Sequence, residues 1–134
     1  MRIGDPLGPL EMALLDRLWE LGTLDVSAMH AAIARNAESR RRSRNTIHST
    51  LERLVRKKLA VRKKVGRAYE YRAVVSREEW TTAAISGLLD SIPNAAPSLL
   101  LASFVDQAER LDPASLEELE DLVRRRRRRR SEES

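Results

Sequence analysis

Apolar residues recur with a helical period along much of the chain, and the pattern is clearest in residues 43–58. There Ile47, Leu51, Leu54 and Val55 are spaced i, i+4, i+7 and i+8, which places them on one side of an α-helix. The opposite side of the same helix carries polar and charged residues. The spacing therefore predicts an amphipathic helix that buries one face and presents polar groups on the other.

Two more helices are predicted ahead of this one. Pro9 suits a first helical position and Gly22 a C-terminal cap, and leucines recur at helical spacing between them. Asp25 can cap a second helix that we expect to end near Asn36. Ser43 is the candidate N-cap of the third helix. The N-terminal part of the chain is thus predicted to contain three helices, joined by short connections.

After the third helix the period changes from helical to alternating, which predicts a β-hairpin over residues 60–73. Two strands are rarely stable alone, so we expect the apolar side of this hairpin to pack on the three helices. That side is expected to include Val61 and Val65, together with Tyr69 and Tyr71. Three helices followed by a hairpin form the winged helix-turn-helix arrangement, so the predicted fold class is mainly α.

Residues 76–126 are predicted to form three further helices. Ser76 and Glu79 have the spacing of a capping box, residues 93–97 break the helical pattern, and Asp112 with the next proline marks the start of the last helix. A unit of this size buries only about 60% of its surface alone, so we expect a second copy of the chain to cover these aliphatic residues, the alternative being that the helices pack against the wing of the same chain. The residues expected to form this dimer interface are Trp80, Ile85, Leu88, Leu89, Leu100, Leu101, Phe104, Val105, Leu116, Leu119, Leu122 and Val123.

Charge is distributed unevenly along the chain, although the formal net charge is only +5. Residues 1–75 carry 16 Lys and Arg against 8 Asp and Glu, whereas residues 76–134 carry 9 against 12. The basic surplus therefore lies in the N-terminal part, which favours a polyanionic partner there. A run of seven arginines, residues 124–130, is expected to fray into a mobile tail because like charges at i, i+4 repel.

The third helix has the composition of a DNA recognition helix, because small polar side chains near its start can reach base edges while neighbouring arginines bind phosphates. The alternative interpretation is a surface helix with a solvated charged face. Basic residues of the hairpin are expected to contact phosphates, although a solvated hairpin also needs charges. The candidate DNA-binding residues are Arg41, Arg42, Ser43, Arg44, Asn45, Thr46, His48, Ser49, Arg53, Lys63, Lys64 and Arg67.

Several classes of function and site are not expected. The chain has no cysteine, and its two histidines are not part of a metal-binding pattern, so neither a metal site nor a cofactor is predicted. His30 is expected to be a packing residue, and no catalytic residues stand out, so we do not expect an enzyme. The apolar runs are too short for membrane insertion, which predicts a cytoplasmic protein.

Four motifs are distributed along the chain: L-G-P-L-E at residues 7–11, N-T-I-H-S-T-L-E-R-L at residues 45–54, G-R-x-Y-x-Y at residues 66–71, and F-V at residues 104–105. Through these motifs the chain resembles the penicillinase repressors of the BlaI/MecI type. These motifs span nearly the whole chain in the order and spacing of the family. Winged helices of other families share single motifs, so the joint order carries the resemblance.

The resemblance implies a homodimeric transcriptional repressor that binds an inverted-repeat operator. Such repressors recognise dyads with TACA/TGTA-type half-sites through the positions of Asn45, Thr46 and Ser49, while the wing contacts the phosphate backbone. In relatives paired with a membrane sensor protease, derepression follows cleavage before a phenylalanine. The corresponding bond here joins Ser103 and Phe104.

The sequence thus predicts a winged-helix DNA-binding domain at residues 1–75, a helical dimerisation domain at residues 76–126 and a disordered tail at residues 127–134. The predicted partners are double-stranded DNA and a second copy of the chain, with a sensor protease implied by the resemblance. Two alternatives stay open: a non-specific nucleic-acid-binding or chromosome-organising protein, and a winged-helix protein-interaction module.

Overall fold

The computed structural model describes residues 2–34, 42–94 and 96–133. Its internal contacts divide the chain into two compact units, Met1–Ser91 and Ile92–Ser134. In chain order the elements are α1 (Pro9–Leu21), β1 (Leu24–Asp25), α2 (Val26–Ile33), α3 (Arg44–Arg56), β2 (Ala60–Val65), β3 (Ala68–Ala73), α4 (Arg77–Ser91), α5 (Pro97–Leu111) and α6 (Ser115–Glu133).

The N-terminal unit has one hydrophobic core, to which α1, α2, α3 and the sheet all contribute. The predicted face of α3 is the buried one, since Ile47, Leu51 and Leu54 are fully enclosed. The core residues are Leu14, Leu15, Leu18, Met29, Ile33, Ile47, Leu51, Leu54, Leu59, Ala60, Tyr71 and Val75. Three helices and a hairpin in this order form a winged helix-turn-helix unit, as predicted.

The structure contains a strand that the sequence analysis missed. Leu24, which was expected to lie in a short connection, and Asp25, which caps α2 as predicted, form β1 and pair antiparallel with β3, opposite Tyr71 and Glu70. The sheet therefore has three strands in the order β1-β3-β2. A two-residue strand has no periodicity of its own and forms only because β3 offers it a free edge.

The prediction of which side of the hairpin packs on the helices was wrong for β2. Arg62 lies directly opposite Tyr71, and residues opposite each other share a face of the sheet. Because Tyr71 is fully buried, it is Arg62 that lies on the core side, and Val61 and Val65 lie on the other face. These two valines are 37% and 48% exposed. Tyr69 is also exposed, contrary to expectation.

A buried ion pair joins the start of α1 to the end of α3. The Lys57 ammonium lies 2.5 Å from Oε2 of Glu11, while Oε1 of Glu11 accepts a hydrogen bond from the backbone N–H of Gly8 at 3.0 Å. Glu11 is one of the two buried polar residues among those described, the other being Thr50. The same carboxylate therefore caps α1 and holds the C-terminal end of α3.

Helix α4 belongs to the N-terminal compact unit, whereas the predicted domain boundary lay ahead of it, between residues 75 and 76. The predicted capping box is present, because the N–H of Glu79 donates to Ser76 Oγ at 3.0 Å. Trp80 packs against the core, with its ring 6.1 Å from that of Trp19. The Trp19 indole also donates to the carbonyl of Val75 at 2.8 Å. These contacts fasten the first turns of α4 to α1.

In the C-terminal unit, α5 and α6 pack on each other, and of their described residues only Ala108 is buried. Helix α6 continues to Glu133, where the sequence analysis expected a disordered tail from residue 127. Arginine has a high helix propensity and favours the C-terminal end of a helix dipole, whereas each i, i+4 repulsion costs only a few tenths of a kcal/mol. No helix in the described ranges combines the length and apolarity needed to cross a membrane.

Candidate nucleic-acid interface

The first turn of α3 is fixed by its cap. The backbone N–H of Thr46 donates to Ser43 Oγ at 3.2 Å, as the sequence predicted for an N-cap, and the two hydroxyl groups lie 3.0 Å apart. Thr46 is half-buried, whereas Asn45 between them is exposed and points away from the core. Ser43 and Thr46 thus fix the backbone of the first turn, while the Asn45 side chain is exposed to solvent.

The exposed face of α3 carries Asn45, His48 and Ser49, all three of them predicted DNA-binding residues. Ser49 donates its hydroxyl hydrogen to the carbonyl of Thr46 at 3.1 Å, so its oxygen is left as an acceptor. Beneath them, Thr50 donates to the same carbonyl at 2.7 Å from the buried side. The helix therefore presents an amide, an imidazole and a hydroxyl on one side, within its first two turns.

Basic residues flank this face. Arg42 and Arg44 are exposed immediately before and at the start of α3, and Arg53 is exposed two turns along, where its guanidinium donates to Thr50 Oγ1 at 3.2 Å. Nε2 of His30 lies 3.1 Å from the carbonyl of Arg42, so this histidine on α2 holds the residue that leads into the cap. The predicted contact residue Arg41 lies outside the described residues.

The wing carries its predicted basic residues on two different faces. Lys64 lies opposite Tyr69 and thus on the side of the sheet that meets α3, whereas Lys63 lies opposite Glu70 on the other side. Arg67 occupies the two-residue turn, where Gly66 adopts a positive φ of 62°. The three side chains are exposed, and the two lysines extend from opposite faces of the sheet.

A shallow cleft lies between α3, the start of α2 and the wing. It is lined by His48 from α3, by Arg67 and Tyr69 from the wing, and by residues 25–27 at the start of α2. At this end of α2 the Asp25 carboxylate accepts a hydrogen bond from the backbone N–H of Ala28 at 2.7 Å, so it caps the helix and adds a negative charge to the cleft. Two predicted contact residues, His48 and Arg67, line the same cleft, and Arg67 brings a positive charge to it.

One carboxylate on α3 joins this helix to the wing. Glu52 Oε1 accepts a hydrogen bond from the Tyr71 hydroxyl at 2.7 Å and forms an ion pair with the Arg62 guanidinium. Nε2 of His48, one turn earlier, lies 3.5 Å from the same oxygen. The Arg62 guanidinium also stacks on the Tyr69 ring, 4.6 Å from its centroid. We call these five residues the Glu52 cluster.

The cluster changes the acidity of its members. Partial burial disfavours the ionised form of Glu52, but the hydrogen bonds from Tyr71 and Arg62 outweigh it and lower the pKa of the carboxyl. Burial, together with the hydrogen bond to Glu52, raises the pKa of Tyr71 to about 12. At neutral pH the cluster therefore contains an ionised carboxylate and a protonated phenol that donates to it.

The structure leaves most of the predicted dimer residues exposed. Leu88, Leu101 and Phe104 are 62%, 67% and 54% exposed, and Leu100, Leu116 and Leu119 are partly covered. Trp80 differs, because its ring packs against Trp19 of the same chain. The exposed residues of the predicted set are Ile85, Leu88, Leu89, Leu101, Phe104, Val105, Leu122 and Val123.

The bond between Ser103 and Phe104, which the resemblance identifies with a cleavage site, lies in the middle of α5. Both residues are exposed. Their backbone is helical, and proteases bind extended segments, so cleavage here requires α5 to unwind locally.

Sequence reasoning did not identify the Glu52 cluster or the Glu11–Lys57 ion pair. Glu52 is ten residues from Arg62 and nineteen from Tyr71, and no local pattern reports contacts at such separations. One feature of the sequence could have indicated the cluster. Glu52 is the one acidic residue of α3, and a carboxylate on a predicted phosphate-binding surface is expected to pair with a nearby cation.

Comparison with known proteins agrees with this architecture. The chain is similar to hsRosR-S4 (16% identity, TM-score 0.53, covering 81% of this chain and 96% of that one). It is also similar to the DNA-binding domain of the repressor BlaI, at 18% identity and a TM-score of 0.49, over 58% of this chain and 90% of that one. A third similar structure is Bordetella bronchiseptica BpsR, whose DNA binding is regulated by 6-hydroxynicotinic acid, at 17% identity and a TM-score of 0.47, over 81% of this chain and 77% of that one.

At these identities the structural likeness supports the fold alone, and it does so through hsRosR-S4. No curated protein matches the chain significantly. The family model described as the penicillinase repressor matches residues 7–125, which is most of the chain and includes all the winged-helix elements from α1 to β3. The chain therefore belongs to the penicillinase repressor family.

Proposed function

We propose that this protein is a homodimeric transcriptional repressor that binds an inverted-repeat DNA operator through the recognition helix at residues 43–58 and the wing at residues 60–73. The observation that carries the proposal is the arrangement of α3. One side is fully buried, and the other presents Asn45, His48 and Ser49 beside a cleft that Arg67 of the wing also lines.

The chemistry of this face fits the major groove of DNA. An α-helix fits into the groove, and an exposed Asn can bind adenine through two hydrogen bonds, one donated and one accepted. Arg42 and Arg44, at the start of the helix, can bind phosphates on either side of the groove entrance. Lys64 can reach the backbone from the face of the wing that meets α3. Asn45 would then recognise the base sequence, while the arginines and Lys64 would fix the position of the protein on the duplex.

Exposed apolar side chains of the C-terminal unit support the homodimer. Monomeric proteins rarely expose large apolar patches, yet Leu101 and, one turn later on α5, Phe104 are each more than half exposed. A second copy offers the same residues in return, because a two-fold interface buries one surface against itself. Two recognition helices related by such an axis would bind two half-sites of opposite orientation.

Regulation by cleavage at the bond between Ser103 and Phe104 follows from the family resemblance and remains part of the proposal. Cleavage would separate the winged-helix unit from the end of α5 and all of α6. A chain that ends at Ser103 reproduces that product, and we expect it to be monomeric by sedimentation equilibrium. If it dimerises as tightly as the full chain, cleavage at this bond cannot act by dissolving the dimer.

Selection of bound duplexes from a random pool tests the proposed function. The full chain is compared with a form that ends at Val123 and so lacks the arginine run. We expect both to recover the same inverted repeat, because specificity is assigned to α3. Competition with unrelated duplex DNA at physiological salt then measures the discrimination, which is typically about 10³-fold or more for specific regulators.

Two other outcomes would favour the alternative functions. Seven consecutive arginines on α6 form a strong local cation cluster. Sequence-independent recovery that disappears in the form ending at Val123 would assign the activity to these arginines and would identify a non-specific nucleic-acid-binding protein. Weak duplex binding by both forms at physiological salt would instead indicate a protein-interaction module.

A further inference from the structure

Glu52 occupies an unexpected place for a carboxylate. It lies one turn after His48 on the exposed side of α3, the side assigned to DNA, where an unpaired negative charge would repel phosphates. Its side chain is 24% exposed and engages two strands of the wing. The carboxylate therefore belongs to the candidate interface, although its negative charge prevents it from binding the phosphate backbone of DNA.

The geometry points to Glu52 as a positioning residue for DNA recognition: its carboxylate holds the wing against the recognition helix, on which sequence discrimination depends, and it withholds Arg62 from the phosphate backbone, which lowers affinity for all DNA. This inference rests on the proposed DNA-binding function. It assigns to Glu52 and Arg62 a role separate from direct contact with bases or phosphates.

The first part of the inference concerns the wing. Tyr71 is fully buried in the central strand of the sheet, so its hydroxyl is a fixed donor rather than a mobile one. Glu52 accepts from it at 2.7 Å and from Arg62 on β2 through the same oxygen. Both strands of the hairpin are thus tied to one side chain of α3. A phosphate contact made by the wing then constrains how α3 lies in the groove.

The second part concerns charge. The Arg62 guanidinium is held between the Glu52 carboxylate and the face of the Tyr69 ring, 4.6 Å from its centroid. Lys64 lies two residues further along the same face of β2 and is left to bind phosphate. A released Arg62 would add one sequence-independent phosphate contact per protomer. Pairing Arg62 with Glu52 therefore lowers affinity for operator and random DNA alike, whereas the position of the wing determines the discrimination between them.

Glu52→Gln tests both parts, because the amide keeps the shape of the side chain and removes its charge. Binding of the full chain is measured on the inverted-repeat duplex recovered by selection and on a scrambled duplex of equal composition, over a range of salt concentrations. We expect discrimination between the duplexes to fall about ten-fold through the loss of a charged hydrogen bond. On the scrambled duplex, the slope of log affinity against log salt should steepen by about 0.9 per protomer.

Three further variants separate the effect of position from that of net charge. Glu78→Gln makes the same change in net charge on α4 and should leave discrimination and slope as they are. Glu52→Gln combined with Arg62→Gln should return the slope to its original value, because the released cation is gone. Tyr71→Phe keeps the buried ring and removes only the fixed donor, and should lower discrimination without changing the slope.

Equal effects of Glu52→Gln and Glu78→Gln, at unchanged melting temperature, would overturn the inference. So would a Glu52→Gln variant that merely relaxed one base position, since this would make Glu52 a base-reading residue for cytosine. If the unaltered chain itself fails to distinguish the two duplexes, the proposed function fails instead, and the two failures are thereby distinguished.

Discussion

At the scale of single residues, neighbouring polar side chains at the start of α3 make different interactions. Ser43 and Thr46 are engaged with each other at the cap, 3.0 Å apart, and Ser49 donates its hydrogen to the backbone. Asn45 is exposed between the two cap residues. Of the three positions that the family resemblance connects with base recognition, Asn45 is therefore the one best placed to read a base through both its donor and its acceptor.

Replacing Asn45 and Lys64 separately should distinguish base reading from phosphate binding. Asn45→Ala is expected to cost about 1–3 kcal/mol on the selected duplex and to relax one base position, while binding to random DNA is unchanged. Lys64→Ala should weaken binding to all sequences alike and reduce the salt slope by about 1 per protomer. Fluorescence anisotropy on matched and random duplexes measures both. Equal losses on both duplexes for Asn45→Ala would contradict the base-reading role.

Glu11 is a single residue on which stability should depend through pH. Burial opposes its ionisation, but the Lys57 hydrogen bond and ion pair and the Gly8 N–H outweigh burial, so that the pKa of Glu11 lies below its ordinary value of 4.5. A carboxyl whose pKa is lower in the folded than in the unfolded state stabilises the fold at pH values above its pKa in the unfolded state. That stabilisation is lost as the pH falls through its pKa in the folded state.

Glu11→Gln should therefore lower the free energy of unfolding at neutral pH by about 1–3 kcal/mol, because Lys57 keeps its charge and loses its partner. The difference from the unaltered chain should shrink as the pH falls below about 4. Urea denaturation at a series of pH values measures it. Glu78→Gln, on the exposed side of α4, is the matched control and should show no such convergence. A difference that stays constant with pH would contradict the assignment.

At the scale of elements, helices were more predictable than strands. The apolar spacing in α3 predicts its buried face because a helix places i, i+4, i+7 and i+8 together in any context. Alternation in β2 correctly indicates which residues share a face, but it cannot say which face meets the helices. Ala60 and Tyr71 determine that, and Val61 and Val65 consequently lie on the open side.

Elements and contacts that depend on distant residues were not predictable from local patterns. The strand β1 exists because Leu24 pairs with Tyr71, far along the chain. The Glu52 cluster joins a helix to two strands, and the packing of Trp80 on Trp19 draws α4 into the N-terminal unit. For the candidate site, the sequence indicated which residues of α3 face outward but gave no indication of the cluster that ties α3 to the wing.

The cap of α3 offers a test at this scale. Ser43→Ala should lower the free energy of unfolding by about 1 kcal/mol, and Ser43→Asn should restore most of it, since Asn is also a good N-cap. Ser76→Ala removes the equivalent cap of α4 and should cost a similar amount. We expect DNA affinity to fall only for Ser43→Ala, because only this cap orders the recognition helix. Equal losses of affinity for both alanine variants would show that general destabilisation is responsible.

At the scale of the whole molecule, charge and apolar surface are segregated along the chain. The N-terminal half holds the surplus of basic residues, while exposed aliphatic residues concentrate on α4, α5 and α6. Such segregation suits a protein whose N-terminal part binds a polyanion and whose exposed aliphatic residues bind its own copy. Under the proposed function, we expect binding to two half-sites to depend on that association.

The most direct test of this account measures how the full chain binds four duplexes. They contain the selected inverted repeat, a single half-site, the repeat with five added base pairs between its half-sites, and the repeat with a whole added turn. Binding constants and stoichiometry are measured for the unaltered chain and for Leu101→Asp, with Leu21→Asp as a control on another exposed leucine.

We predict that two protomers bind the intact repeat and that the half-site binds at least about 100-fold more weakly, because linked half-sites reinforce each other. Five added base pairs should weaken binding more than a whole turn, since they place the half-sites on opposite sides of the duplex. Leu101→Asp should reduce the full site to half-site affinity, and Leu21→Asp should not. Equal affinity per protomer for the half-site and for every spacing would contradict a dimeric repressor that reads an inverted repeat.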